Sequence, residues 1–434
     1  MGLGLLGGAL NDAIFLADCG AILTITDLKS EQELAPSLKK LKKYKNIKYV
    51  LGRHDLADFQ TADFIIQPGN VPVNSPYLLE AQKNNIPIYE SESLLMEKAK
   101  EVKVIGITGT RGKTTTTYLI YEILKSFFGK KVHLGGNVKG KSTLALLKII
   151  KPGDLVVLEL DSWCLHGFGD IKASPQISVF TNLMPDHLNF YLKGSKDLVE
   201  AEQKYFNDKA NIYLNQNEDD YLICGEKIST RIGKTKSHKI IALKNIVPKG
   251  WKLKVKGEHN LENIACAIKA CEVLNVPINK IRKGVENFKG VEGRQEFLRE
   301  YKGIKIYNDT TATTPEATIM ALRALGDKNK KLVLLMGGAD KNIDMSGLIK
   351  EIPKYCKGVV ILSGTGTEKL IKDFPNEIKG MIEVNNLSGA VKIALGLCQK
   401  GDTLVLSPAF ASFGMFKNEF DRGDQFVKII KGLR

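Results

Sequence analysis

The chain has 434 residues, 43% hydrophobic and 26% charged, with a formal net charge of +15. That length predicts two to four domains at about 150 residues each, and no stretch approaches the ~18 consecutive apolar residues of a membrane span. Only nine of the 63 basic residues are Arg, and the lysines are dispersed apart from Lys39-Lys40-Leu41-Lys42-Lys43. The charge therefore reads as solvated faces that help attract a polyanionic small molecule, not as a nucleic-acid footprint.

The N-terminal apolar stretch is interrupted by Asp12 and Asp18 and has no basic flank, which argues against a signal peptide. The seven cysteines form no CxxC pair and are odd in number, which fits reduced thiols of a cytoplasmic protein rather than a disulfide or zinc framework. The expected surroundings are cytoplasmic, with no membrane insertion and a monomeric chain.

In chain order, the first block spans 1–98. Gly2-Leu3-Gly4-Leu5-Leu6-Gly7 is a GxGxxG, and Asp27 follows Gly7 by 20 residues at the end of the strand-like AILTITD. That is the Rossmann pattern, with an acid placed to meet a ribose or base edge. The strand that should precede such a loop is absent from the sequence. IKYVLG (47–52) and DFIIQPG (63–69) continue a strand–helix alternation that predicts a parallel α/β sheet.

The second block, 99–289, opens with VIGITGTRGKTTTT (104–117). An apolar strand enters a Gly-rich loop ending in Gly112-Lys113-Thr114, and a helix follows. A Walker A loop has a glycine five positions before the Gly of Gly-Lys-Thr; here Ile107 stands there. Backbone N–H groups of Gly109, Thr110, Arg111 and Gly112 at the helix start would still cradle a phosphate. Lys113 would neutralise its charge, and the Thr114 hydroxyl would serve Mg²⁺. Two further strand-like runs end in metal-compatible residues: LVVLEL (155–160) in Glu159, and ISVFTN (177–182) just before Asp186-His187. A carboxylate and an imidazole at successive strand ends suggest two metal positions, although a lone His187 is as readily a loop residue as a ligand.

The third block, 290–434, repeats the alternation with KIYND (305–309), LVLLMGG (332–338), GVVILSG (358–364) and DTLVLSP (402–408). In open parallel sheets ligands bind beyond the carboxyl ends of strands, so the loops after these runs are where chemistry is expected. The fold class is therefore α/β, with three domains each built on a mainly parallel sheet.

With these residues in view, the sequence resembles the Mur ligase and folylpolyglutamate synthase superfamily. The matching motifs are Gly109-Thr110-Arg111-Gly112-Lys113-Thr114-Thr115, Gly135-Gly136-Asn137, Glu159-Leu160, Thr181-Asn182 with Asp186-His187, Gly257-Glu258-His259-Asn260-Leu261-Glu262-Asn263, and Asn308-Asp309. Gly337-Gly338-Ala339-Asp340-Lys341, SPAFASF (407–413) and FKNEFDRG (416–423) are similar to the glutamate-adding branch.

The resemblance implies a Rossmann-like UDP-binding domain, a P-loop ATPase-like domain and a Rossmann-like amino-acid-binding domain. It implies an ATP-dependent ligase that phosphorylates the carboxylate of a UDP-linked muramoyl-L-alanine and joins glutamate to it. By position, Gly109 to Thr115 and Asn263 would hold ATP, with Arg294 and Asp309 serving phosphate and ribose. Thr114, Glu159, His187 and a carbamylated lysine would hold two Mg²⁺. The best match for that lysine is Lys209, given a short insertion around GSKDLVEAEQK; Lys204 is the fallback. Gly4, Leu5, Asp27, Leu28, Lys29, Pro68, Gly69 and Asn137 would meet the UDP substrate. Thr313, Lys341, Ser412 and Phe413 would bind the amino acid.

Several positions depart from the family pattern. Thr310-Thr311 stand where Ser-Lys is usual, Asp161 and Cys164 replace Ser and Gln, and Glu419-Phe420 replaces an aromatic followed by an acid. These surround the amino-acid pocket and leave L-glutamate or another acidic amino acid open. A sister ligase with another acceptor, a truncated homologue and a nucleic-acid-stimulated NTPase are the other readings.

Overall fold

A computed structural model of the chain describes residues 1–5, 8–69, 71–72, 74–138, 142–186, 188–192, 195–327, 329–377 and 380–433. The contacts divide it into two compact units, Met1–Gly250 with Glu262–Val285, and Trp251–Leu261 with Glu286–Arg434. The first two sequence blocks thus share one unit. The helix Glu258–Val273 belongs partly to each.

The first unit begins with two small parallel pairs. β1 (Leu23–Asp27) pairs with β2 (Ile47–Leu51), and β3 (Ile65–Ile66) pairs with β4 (Ile88–Tyr89). The opening residues join them: the Met1 amine donates to Ile66 O at 2.9 Å and Gly2 N to Thr26 O at 2.7 Å. Met1 and Gly2 therefore bridge β1 and β3.

The main sheet of this unit has the order β10-β9-β8-β5-β7-β6 and every described pairing is parallel. Its strands are β5 (Lys103–Thr108), β6 (Val132–Gly136), β7 (Leu155–Glu159), β8 (Ile177–Phe180), β9 (Tyr221–Gly225) and β10 (His238–Ala242). β7 and β8 are buried at every position and β5 at all but Lys103, as expected of strands covered on both faces. The chain moves from β5 outward to β6, returns through β7 and crosses to β8 on the other side. The ends of β5, β7 and β8 therefore meet at the reversal of strand order, where such sheets bind ligands.

The helix Lys113–Phe128 follows β5 and buries Leu119, Ile120, Ile123 and Leu124 completely. Each such side chain contributes about 1.5–3 kcal/mol of burial. Gly112 starts the helix at φ +79° and Gly129 ends it at φ +66°, conformations that L side chains rarely adopt.

Buried polar contacts seat the N-terminal pairs on this sheet. Asp12 accepts from Ser142 Oγ at 2.9 Å, and Glu92 accepts from Thr143 Oγ1 at 2.7 Å and from the Cys164 thiol at 3.4 Å. Glu90 accepts from Gln67 at 3.1 Å and lies against Gly167, where a Cβ would strike its carboxylate. Burial pushes Glu90 up to about 8 and Glu92 up to about 7.

The second unit holds a sheet ordered β11-β12-β16-β13-β14-β15. β11 (Glu296–Tyr301) is antiparallel to β12 (Ile304–Asn308); β13 (Leu332–Gly337), β14 (Cys356–Leu362), β15 (Ile382–Val384) and β16 (Thr403–Leu406) are parallel. β16 returns between β12 and β13, so the loops after these three strands share one edge.

Candidate active site

The phosphate loop, Gly109 to Gly112, runs from the end of β5 into its helix. Two positions require glycine: a Cβ at Gly109 would meet Thr181 Oγ1, and one at Gly112 would meet the Asn263 amide. The loop is strapped to the residues after β8. Asn182 Oδ1 accepts from Arg111 N at 2.9 Å while its Nδ2 donates to Arg111 O at 3.0 Å, and Thr181 Oγ1 donates to the same carbonyl at 2.7 Å. Thr110 N donates to Asn182 O at 3.0 Å, and Thr110 Oγ1 donates to Met184 O at 3.1 Å. Thr181 and Asn182 were visible in the sequence as a motif; their role as the strap was not.

Lys113 folds over the loop, its Nζ 3.0 Å from Gly109 O and 3.2 Å from Thr110 O. Thr114 Oγ1 donates at 3.1 Å to Glu159 Oε1, and Glu159 is 3% exposed at the end of β7. Thr115 lies in the first turn of the same helix. Arg111 reaches Asp186 at 3.4 Å. His187 lies outside the described residues.

Of the two candidate lysines, Lys209 lies against the phosphate loop. It is 1% exposed on the helix Leu198–Leu214, and its Nζ donates to Gly109 O at 3.1 Å and Thr108 Oγ1 at 3.4 Å. Burial, reinforced by the Lys113 charge, lowers it to about 7. Lys204 sits outward, paired with Glu200 at 3.1 Å.

The Lys209 helix is anchored by neighbours that sequence reading did not identify. Asp208 accepts from His166 Nδ1 at 3.1 Å and from the Tyr191 hydroxyl at 2.8 Å. The Asp208 bond raises His166 to about 9, so the imidazole is protonated at neutral pH. Tyr205 lies one turn before Lys209, and its hydroxyl is 3.2 Å from Thr110 Oγ1.

The residues expected to meet UDP form a cluster. Gly4 N donates to Asp27 Oδ2 at 3.0 Å and Lys29 N to Asp27 Oδ1 at 2.9 Å. Both Asp27 oxygens therefore brace the glycine loop and the turn after β1, while Leu28 is 67% exposed and Leu5 51%. Pro68 packs on Gly2, and Gly69 leaves room for Trp163. Asn137 Nδ2 donates to Asp161 at 3.1 Å, and Asp161 caps the helix Ser162–Asp170.

In the second unit, Lys341 Nζ donates to Thr313 Oγ1 at 3.0 Å, so two amino-acid-pocket candidates from different loops meet. Ser412 is buried and Phe413 is 65% exposed. Asp309 accepts from Ser407 at 2.7 Å and Gln295 N at 3.0 Å, and burial raises it to about 7; Arg294 opposes that rise. Arg422 is fully buried: Nη2 donates to Thr310 O at 2.8 Å, Nε to Thr310 Oγ1 at 3.2 Å and Nη1 to Phe410 O at 3.3 Å.

Does this arrangement fit Mg²⁺? Thr114 and Glu159 put a hydroxyl and a buried carboxylate side by side under a glycine cradle, which suits a magnesium–phosphate complex that brings its own oxygens. Among the described residues no group of three His, Cys, Asp or Glu side chains could hold a metal ion. The described donors thus suit an ion held mainly by nucleotide oxygens rather than by an all-protein cage.

A cradled phosphate loop at the switch point of a parallel sheet defines a phosphate-loop nucleotide-binding protein. Residues 107–271 match the Mur ligase middle domain and residues 293–410 the Mur ligase, glutamate ligase domain. The chain is 33% identical to the UDP-N-acetylmuramoylalanine–D-glutamate ligase of Borreliella burgdorferi (strain ZS7), covering 100% of this chain and 97% of the relative. It is 34% identical to the enzyme of that name from Roseiflexus sp. (strain RS-1), covering 100% and 98%. The chain belongs to the Mur ligase family. Its fold is also that of the solved UDP-N-acetylmuramate-alanine ligase MurC of Thermotoga maritima, with a TM-score of 0.61, 18% identity and 99% and 98% of the two chains covered. MurF ligase of the same organism, solved with ADP, has a TM-score of 0.58 at 18% identity, covering 94% of each chain.

Proposed function

We propose that this chain is an ATP-dependent ligase that adds D-glutamate to UDP-N-acetylmuramoyl-L-alanine, a step in building the peptidoglycan precursor. The observation that carries the reading is full-length likeness to relatives bearing that one name, at 33% and 34% identity. The arrangement of the phosphate loop and of Lys341 with Thr313 supports it.

In this reading, the L-alanyl carboxylate attacks the γ-phosphorus of ATP. The P–O bond to ADP breaks and an acyl phosphate forms. The glutamate amine then attacks the acyl carbon, an amide forms, and inorganic phosphate leaves with the activated oxygen. Loop N–H groups and Lys113 hold the β- and γ-phosphates as charge shifts onto ADP. Asn263 meets adenine; Arg294 and Asp309 serve phosphate and ribose. Lys341 and Thr313 fix a glutamate carboxylate, with Ser412 and Phe413 beside them. Asp27, Leu28 and Lys29, with Gly4, Leu5, Pro68, Gly69 and Asn137, receive the UDP-sugar.

Thr114, Glu159, His187 and Lys209 as a carbamate would hold Mg²⁺. Bound there, the metal supplies Lewis-acid neutralisation of phosphoryl charge. A lysine lowered to about 7 is in good part the neutral amine at physiological pH, the form that adds CO₂ and releases a proton to become an anionic carbamate. We place the reaction in the cytoplasm, with the monomer as the working species.

The test is an ADP-release assay with UDP-N-acetylmuramoyl-L-alanine against D-Glu, L-Glu, D-Asp and meso-diaminopimelate. Release that requires the muramoyl substrate and D-Glu is expected. Release with a different amino acid would move the chain to a sister activity, and none with any pairing would refute a ligase.

A further inference from the structure

We propose that Asp208 is a positioning residue for the metal-binding side of the site, joining three of the four segments that carry its ligand candidates. This rests on reading Lys209 and Glu159 as ligands. Asp208 precedes Lys209 on the helix Leu198–Leu214 and bonds Tyr191 and His166, whereas Tyr205 and Lys209, four residues apart, reach the phosphate loop at Thr110 and Gly109. At 3.6 residues per turn, adjacent residues point about 100° apart, so Asp208 and Lys209 address different neighbours.

One Asp208 oxygen receives the Tyr191 hydroxyl at 2.8 Å, four residues beyond His187 in sequence. The other receives His166 Nδ1 at 3.1 Å, from the helix Ser162–Asp170 that follows Glu159 and is capped by Asp161. The segments also pack at the joint. Gly169 leaves room for Asn211 of the Lys209 helix, and the Tyr191 and Tyr205 rings lie 5.5 Å apart. Phe190 meets Trp163 edge-on at 5.7 Å. The described hydrogen bonds of Asp208 go to His166 and Tyr191, not to a phosphate-loop atom or Lys209 Nζ, so its effect would pass through the placement of other groups.

Groups that orient metal ligands typically change metal affinity about 10- to 100-fold when removed. The experiment measures Mn²⁺ binding to the full chain with ADP by electron paramagnetic resonance, beside thermal midpoints, for the parent, Lys209→Ala, Asp208→Ala, Asp208→Asn and Tyr191→Phe. Lys209→Ala is expected to weaken Mn²⁺ binding. Asp208→Ala is expected to weaken it by about 10- to 100-fold, Asp208→Asn by less, and Tyr191→Phe by a smaller factor still. A merely structural role would lower the midpoint and leave Mn²⁺ affinity of the folded protein unchanged. Should Asp208→Ala fail to fold, Asp208→Asn and Tyr191→Phe decide the matter in the same way. Parent-like Mn²⁺ affinity in these variants, with Lys209→Ala impaired, overturns the inference and leaves the ligand reading standing. Parent-like affinity in Lys209→Ala overturns both.

Discussion

The carboxyl edges of the two six-stranded sheets are built differently. At the β5–β7–β8 edge, functional side chains are engaged in advance: Thr114 with Glu159, Lys209 with Gly109 and Thr108, Asn182 with Arg111. At the β12–β16–β13 edge two of the pocket candidates are more exposed, Phe413 at 65% and Lys341, which bonds Thr313. A triphosphate presents the same shape to every enzyme that uses it, so its cradle can be rigid before the ligand arrives. An amino acid must be selected among similar ones, and selection is completed by groups that settle around it.

The largest effects should come from the rigid edge. Lys113→Ala is expected to lower kcat by about 100- to 1,000-fold, as loss of a preorganised charge-stabilising donor does, while the thermal midpoint stays near the parent's. A drop confined to KM for ATP would mean that the loop binds without assisting transfer. Lys341→Ala comes next. Loss of a charged hydrogen bond of about 1.5–3 kcal/mol should raise KM for D-glutamate by about 10- to 100-fold and leave KM for ATP unchanged. An equal rise for ATP would dissolve the distinction between the edges.

A carbamate at Lys209 should be seen as a ¹³C signal after incubation with labelled bicarbonate. It should fade as pH falls below about 7, where the folded-state amine becomes an ammonium. A pH-independent signal, or one retained in Lys209→Ala, would place the label elsewhere. The smallest effect concerns Glu90, which lies against Gly167 and accepts from Gln67. Its carboxyl ionises near 4.5 in the unfolded chain and near 8 in the fold, so between those values the folded state holds the extra proton and stability falls as pH rises. Glu90→Gln should flatten that decline, with a thermal midpoint about 2–4 °C higher than the parent at pH 8.5, the shift that about 1 kcal/mol produces in a domain of this size, and little gain at pH 5.

The rigid edge was also the more legible in the sequence. β5, β7 and β8 are continuous apolar runs because both faces are covered, and their last residues announce themselves as the first polar groups after the run. Glu159 follows from that rule, and Lys113 and Thr114 from the Gly-rich loop and helix start that come after β5. β10 and β11 escaped notice because neither edge strand is a continuous apolar run: HKIIA opens with His-Lys, and EFLREY carries three charged residues. β6 and β9 were likewise not singled out. Asp208, His166 and Tyr191 escaped for another reason: their bonds span 42 and 17 residues, and nothing local marks them. Asp27 was read as a ligand-facing acid, yet its bonds to Gly4 and Lys29 show that the same spacing also serves to hold the glycine loop.

Arg422 sets an order of events in time. It is the largest fully buried side chain among the described residues, and its guanidinium holds the carbonyls of Thr310 and Phe410, residues that flank Thr313 and Ser412. It sits on the helix Glu419–Lys431, more than 100 residues later than Thr310. On the ribosome, the loop after β12 emerges long before the residue that fastens it. The candidate amino-acid pocket is therefore fastened among the last parts of the chain to be made, and a chain cut before residue 419 would lose the Arg422 bonds to Thr310 and Phe410.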